Sequence, residues 1–251
     1  MPLDLAQLRA RMPGRQVVWF ESTGSTMLDA GRLAAEGAPS GTIAVAEEQT
    51  AGQGRHGRAW ISERDSGLYP SFVLRCELPA DSVPVLALAL GLAVREAILD
   101  VCGIACDLRW PNDLLADGKK CVGILVQSQN GVFIAGIGIN VNQQSLPAEI
   151  SGVATSLRIV SRRPHSREEL LIRLARAVDE FCRILVVDGK DEILRLYTQA
   201  SSYASGRRVV VDDGGTVLYG TTEGLDPSGF LILRQEDGTR RLILTGGVRP
   251  A

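Results

Sequence analysis

The run Glu48-Gln49-Thr50-Ala51-Gly52-Gln53-Gly54-Arg55-His56-Gly57-Arg58-Ala59-Trp60 follows directly on the apolar residues Thr42-Ile43-Ala44-Val45-Ala46. Its three glycines let the backbone bend and approach a ligand closely. Arg55 and Arg58 carry fixed positive charge on forked donors that suit phosphate oxygens. Trp60 offers a flat apolar face on which a purine can stack. A strand running into such a segment predicts a mobile loop that closes over an anionic, base-bearing ligand such as ATP.

Gly52, Gly54 and Gly57 also satisfy G-x-G-x-x-G. That dinucleotide fingerprint needs an apolar helix opening at its third glycine, because the helix N-terminus carries the pyrophosphate. Arg58-Ala59-Trp60-Ile61-Ser62-Glu63-Arg64-Asp65-Ser66-Gly67 has no helical period, and Pro70 follows soon after. Glu77 lies at about the distance the fingerprint asks of its acidic residue, but without the helix it completes nothing. A solvated basic turn is the plainer alternative, and the loop alone does not exclude it.

Outward from this loop the chain alternates between helical and extended patterns. A short helix around Leu3, Leu5 and Leu8 stops at Pro13-Gly14, a strand covers 16–20, and a polar turn leads to a helix over 26–36 that ends at Gly37. Extended runs follow at 42–48 and 68–77. A long buried helix over 81–101 is expected to be capped by Asp81 or Ser82. From 106 to 140 the pattern is β-like, with hairpin turns at Asp117-Gly118 and Asn130-Gly131. Helices are expected over 167–187 and about 192–199. After Ser205-Gly206, four short strands (207–211, 216–223, 229–234 and 240–244) alternate with Asp213-Gly214-Gly215, Asp226-Pro227-Ser228 and Asp237-Gly238, the pattern of a small barrel of about 45 residues. The boundary falls near 204.

The chain has 251 residues, 45% apolar and 22% charged, with a net charge of −2. That composition builds a real core and argues against a general nucleic-acid or membrane binder, so any attraction for anions is local. Five cysteines form no CxxC pair, which fits a reducing compartment better than a disulfide framework. Only His56 and His165 are available for imidazole chemistry, so a Cys/His zinc site is not expected. No basic head and apolar stretch open the chain, and the apolar run from Val83 to Val94 is too short to span a bilayer; a cytoplasmic protein is expected.

Three further clusters carry chemical groups. In Arg109-Trp110-Pro111-Asn112-Asp113 the proline fixes a turn while Asn112 and Asp113 offer an amide and a carboxylate; alone it also reads as an ordinary turn. Lys119-Lys120 precedes an apolar strand in which Gly123 allows close approach. Such lysines serve solubility or hold a carboxylate or phosphate. Gly136-Ile137-Gly138-Ile139-Asn140-Val141-Asn142 ends a strand in small residues and amides, and a tightly packed strand end explains it equally.

Taken in order, Ser25-Thr26, Gln49-x-Ala-Gly-x-Gly-Arg-x-Gly-Arg-x-Trp60, Arg-Trp-Pro-Asn-Asp113, Lys120-x-x-Gly-Ile-Leu-Val and Gly-Ile-Gly-Ile-Asn140 resemble the biotin protein ligases. The likeness runs from about residue 16 to the C-terminus. It implies an α/β (α+β) fold: a mixed-sheet catalytic domain backed by helices over 1–204 and an SH3-like barrel over 205–251. It implies a reaction in which biotin's carboxylate attacks the α-phosphate of MgATP, pyrophosphate leaves, and a lysine of a biotin carboxyl carrier protein takes the biotinyl group from biotinyl-5′-AMP.

By the same resemblance Lys120, Arg55 and Asp113 are the catalytic group. Lys120 holds the biotin carboxylate and α-phosphate, Arg55 clamps phosphate, and Asp113 orients the incoming lysine or takes its proton. Ser25, Thr26, Met27, Gln49, Gly52, Gln53, Gly54, Arg55, Lys120 and Gly123 match biotin-binding positions. Arg55, Arg58, Trp60, Asn112, Lys120 and Asn140 match ATP-binding ones. No protein metal site is implied, since Mg2+ arrives on the ATP phosphates, and no prosthetic group is. The implied partners are the carrier protein, biotin and ATP, with no membrane, in a monomer or homodimer.

Several residues depart from the family pattern. Gln53 stands where many relatives have arginine, Met27 where they often have asparagine, Arg109 in place of a common lysine, and His56 where some have arginine. About 15 residues precede the first strand, fewer than the roughly 60 of a winged helix-turn-helix, so no operator DNA binding is expected. A lipoate- or octanoate-type ligase is the nearest rival, but it would need a long apolar channel in place of Ser25-Thr26-Gln49. A non-catalytic biotin sensor would have no use for Arg55, Lys120 and Asp113 together.

Overall fold

The computed structural model describes residues 2–213 and 215–251. A seven-stranded mixed sheet forms its centre, in the order β1-β2-β3-β7-β6-β5-β4. The strands are β1 (Val17–Phe20), β2 (Ile43–Ala46), β3 (Tyr69–Leu74), β4 (Asp107–Arg109), β5 (Asp113–Ala116), β6 (Lys119–Gln129) and β7 (Val132–Ile139). Among the described strands of this sheet β1 and β2 alone pair in parallel, joined by the crossover helix α2 (Thr26–Ala35). The remaining neighbours are antiparallel, and the β5–β6 and β6–β7 hairpins turn at Asp117-Gly118 and Asn130-Gly131. All four of these turn residues take positive φ, from 50° to 77°, the conformation that Asn-Gly and Asp-Gly turns favour.

The two faces of the sheet are covered differently. On one, α3 (Val83–Cys102), α5 (Arg167–Val187) and α6 (Lys190–Ala200) enclose the main core, which includes Leu86, Leu90, Ile124, Ile137 and Leu174. Helix α3 buries residues all round its axis, as a helix within a core does. On the other face α2 sets Met27 and Ala30 against Ala44, Val73 and Ile134 in a smaller cluster. Helix α1 (Leu5–Arg11), capped by the Asp4 carboxylate accepting from Gln7 N, packs beside α5.

After α6 comes an antiparallel sheet of β8 (Ser205–Asp213), β9 (Thr216–Leu225), β10 (Leu231–Arg234), β11 (Arg240–Ile243) and β12 (Gly247–Pro250). Its order is β11-β10-β9-β8-β12, and β12 is a fifth strand beyond the four expected. Gly214 of the expected turn Asp213-Gly214-Gly215 lies outside the described residues. Trp110 ties this sheet to the central one by donating its Nε1–H to Gly229 O at 2.9 Å.

Two local expectations change. Helix α3 begins at Val83 after a 3-10 turn, Ala80–Ser82. Ser82 takes the cap position in helical geometry with no side-chain cap bond, and neither it nor Asp81 caps as expected; Pro84 occupies the first turn, where a missing N–H is harmless. A five-residue helix, α4 (Leu157–Ser161), was not expected, because it is too short to show a period; its cap, Ser156 Oγ, accepts from Ile159 N at 3.1 Å. No helix among the described residues is long and apolar enough to cross a membrane.

Candidate functional site

The glycine-arginine loop is a narrow flap. Gly54 N donates to Arg58 O at 2.7 Å and Trp60 N to Gly52 O at 2.9 Å, while a 3-10 turn over Arg55–Gly57 forms the tip. Gly52 is required here, since a Cβ at that position would lie 2.6 Å from Trp60 O. The root is fixed from the core side. Glu47, 1% exposed, pairs with Arg167 Nη1 at 2.7 Å and accepts from Leu3 N at 2.6 Å and Trp19 Nε1 at 3.1 Å.

Beneath the flap, Lys120 and Asp113 meet from neighbouring strands. Lys120 Nζ lies 2.6 Å from Asp113 Oδ1, but off the hydrogen-bonding direction, so this buried oxygen has an ion-pair neighbour and no hydrogen bond. Asp113 Oδ2 accepts from Arg109 Nη2 at 2.7 Å. The backbone of Lys120 is held on the other side by the segment after β7: its N donates to Val153 O at 2.9 Å and its O accepts from Thr155 N at 2.8 Å.

Trp60 folds back over the same place. Its indole lies against Gly123 and Gly138, where added Cβ atoms would come within 2.8 Å and 2.4 Å of the ring. Lys120 Nζ is 5.5 Å from the ring centroid, a cation–π distance. The indole Nε1 is buried and has no hydrogen-bond partner in the protein. Arg55 donates from Nη1 to Asn112 Oδ1 at 3.3 Å, and Asn112 is itself oriented by donating to Ile124 O at 2.7 Å. Burial lowers the pKa of Arg55, against the pull of Asp113; the cation is partly stripped of water.

A second polar group lies at the flap root. Gln49 Oε1 accepts from Thr26 N at 2.9 Å and Thr26 Oγ1 at 3.0 Å, its Nε2 donates to Ser62 Oγ at 2.9 Å, and Thr26 Oγ1 is 2.8 Å from Ser71 Oγ. Ser25 Oγ is buried beside this network with no partner. A cleft of about 690 Å³ opens between the flap and β6, lined by Gln53, Arg55, Arg58, Leu125 and Gln127 among others.

The structure therefore brings Lys120, Asp113, Asn112, Arg55, Trp60 and Gly123 together, and sets Ser25, Thr26, Gln49 and Gly52 next to one another at the flap root. Gly54, Gln53 and Arg58 belong to the flap and face the cleft. Met27 lies in the small α2 cluster, with its sulfur 2.5 Å from where a Cβ on Gly136 would stand. Asn140 spends its amide on Thr155 O at 3.0 Å and thereby braces the segment that pairs with Lys120. Ser62, Ser71 and Thr155 were not singled out from sequence. A serine in the otherwise apolar strand β3 is the one local signal, for Ser71.

Two family models match the chain: the biotin/lipoate A/B protein ligase family over residues 19–144, and the biotin protein ligase C-terminal domain over 204–248. The biotin--[acetyl-CoA-carboxylase] ligase of Mycobacterium tuberculosis is 34% identical over 257 residues, covering 98% of this chain and 94% of that protein. The bifunctional ligase/repressor BirA of Bacillus spizizenii is also 34% identical, over 94% of this chain and 74% of its own length. Among solved structures, the biotin protein ligase from Aquifex aeolicus in complex with biotin and ATP superposes with a TM-score of 0.82 at 32% identity, covering 94% of this chain and 99% of that one. The chain belongs to the biotin/lipoate A/B protein ligase family, within its biotin protein ligases.

Proposed function

We propose that this protein joins biotin to a lysine of the biotin carboxyl carrier protein of acetyl-CoA carboxylase in two steps, using ATP. The observation that carries the reading is the meeting of Lys120, Arg55 and Asp113 on a glycine floor under the flap.

In the first step a biotin carboxylate oxygen attacks the α-phosphorus, the bond from that phosphorus to the bridging oxygen breaks, and pyrophosphate leaves. Two anions have to approach, so positive charge is needed where they meet. Lys120 neutralises the carboxylate and the α-phosphate, and Arg55 clamps phosphate. Mg2+ enters on the ATP phosphates, which supply the oxygen ligands it prefers. Trp60, Arg58, Asn112 and Asn140 form the nucleotide side. Asn140 acts there largely through the segment it braces.

Biotin's ureido ring is neutral and takes neutral partners. Ser25, Thr26 and Gln49 supply them, and the unpaired hydroxyl of Ser25 is the group best suited to a ligand oxygen. Gly52, Gln53, Gly54 and Gly123 bound the same space, while Met27 supports it from the core side. In the second step the carrier lysine's amine attacks the acyl carbon and AMP leaves with the bonding electrons. Asp113, whose buried Oδ1 lies 2.6 Å from the Lys120 ammonium, takes or orients the proton given up by that amine. The flap keeps water from the anhydride meanwhile.

Residues 1–204 form the catalytic domain in this reading and 205–251 a separate C-terminal one, a division supported by the family match that starts at 204. Five free cysteines support work in the reducing cytoplasm. The test is transfer of radiolabelled biotin to a purified carrier domain. Label is expected only with ATP present and only when the acceptor lysine is intact. A carrier that stays unlabelled under these conditions would refute the reading.

A further inference from the structure

The flap tip does not end in solvent. Arg55 Nη1 also donates to Gly246 O at 3.4 Å, Arg55 Nη2 donates to Thr245 Oγ1 at 3.4 Å, and His56 Nε2 lies 3.3 Å from the same hydroxyl. Thr245 and Gly246 form the turn between β11 and β12, about 190 residues further along the chain. The guanidinium is therefore bracketed by Asn112 of the central sheet on one side and by the C-terminal sheet on the other.

Each contact is long for a hydrogen bond, and none alone would hold a loop. Their convergence on one hydroxyl and one carbonyl is the informative feature. A hydroxyl carries two lone pairs and a proton, so one Thr245 Oγ1 can accept from Arg55 and also bond the His56 ring. His56 reaches it from the left-handed region, at φ 57°, a conformation costly to most non-glycine residues and one that a partner for the side chain offsets.

The donor count is equally specific. Arg55 has five N–H groups. Asn112 and Gly246 accept from Nη1, and Thr245 accepts from Nη2. Among the described residues the Nε–H has no partner and Nη2 makes a single contact, and a free side-on fork of such donors grips two oxygens of a phosphate.

We propose that Thr245 is a positioning residue for the ligation: it clasps the flap tip through Arg55 and His56, so that the free fork of Arg55 faces the nucleotide phosphates. The inference rests on the two-step reading above. It gives the C-terminal sheet a direct part in holding the flap closed over the adenylate.

Thr245→Val removes the hydroxyl with little change of shape, and Thr245→Ser keeps it. Three quantities are compared in the full-length enzyme: KM for ATP in biotin-dependent pyrophosphate exchange, KM for biotin, and the rate at which preformed biotinyl-5′-AMP escapes without carrier protein. The valine variant should raise KM for ATP and the escape rate by about tenfold, the scale of a lost hydrogen bond to a charged group. KM for biotin and the melting temperature should stay at wild-type values, and the serine variant should restore both altered quantities. His56→Ala should speed escape less, and add nothing in combination with Thr245→Val. Wild-type behaviour of the valine variant, or a serine variant as impaired as valine, would overturn the clasp. A wild-type enzyme that exchanges no pyrophosphate would sink the two-step reading instead, and the clasp with it.

Discussion

On the α3 and α5 face of the central sheet, a buried charge is fully matched: Glu47 meets Arg167, Leu3 N and Trp19 Nε1. On the α2 and flap face, the floor is glycine at 123, 136 and 138, Ser25 Oγ and Trp60 Nε1 are buried without a hydrogen bond, and Asp113 Oδ1 is met by the Lys120 ammonium alone. The one other such atom among the described residues, Gln143 Oε1, belongs to a side chain bonded to Tyr69. Leaving a buried polar atom unpaired costs about 1–3 kcal/mol, so stability alone does not explain two such atoms on this one face. One face is finished for folding; the other is finished only when a ligand supplies partners.

That contrast makes ordered predictions. Lys120→Ala takes away the cation at the centre of the flap face, and biotin-dependent adenylate formation should fall about 10³-fold with the melting curve little changed. A rate within an order of magnitude of wild type would break the comparison at its strongest point. Glu47→Ala does the opposite on the core face. It removes the carboxylate that balances the buried Arg167 guanidinium and should cost about 3–5 kcal/mol of stability in denaturant melts, while folded molecules still form adenylate.

Gly138→Ala sharpens the contrast further. A Cβ there would stand 2.4 Å from the Trp60 ring, so the indole has to leave its floor. Displacement of that order should lower kcat about 10²-fold in pyrophosphate exchange. The smallest effect belongs to Ser25→Ala: KM for biotin should rise about tenfold while the melting temperature holds or increases, because an unpaired buried hydroxyl is gone. A lower melting temperature with unchanged KM would assign Ser25 to the fold instead.

Much of this was legible in the sequence, for local reasons. Asp117-Gly118 and Asn130-Gly131 announce their hairpins because few other dipeptides accept positive φ twice in succession. Helix α5 spans 167–187 as its spacing implied, since one apolar stripe decides its packing. The flap was visible as a cluster of glycine and charge. What stayed hidden depends on distant pairing. Nothing near Glu47 points to Arg167, nothing near Thr245 points to Arg55, and Gly138 acquires its meaning only when Trp60 folds over it. Strand β12 was missed because four residues at the chain end carry little pattern.

The most direct test of the contrast is exchange of radiolabelled pyrophosphate into ATP by the purified protein, with and without biotin, beside Lys120→Ala. Exchange that requires biotin and vanishes in the variant is the predicted result. Absence of exchange in the wild-type protein, or its survival in the variant, would contradict the assignment of the flap face to adenylate chemistry.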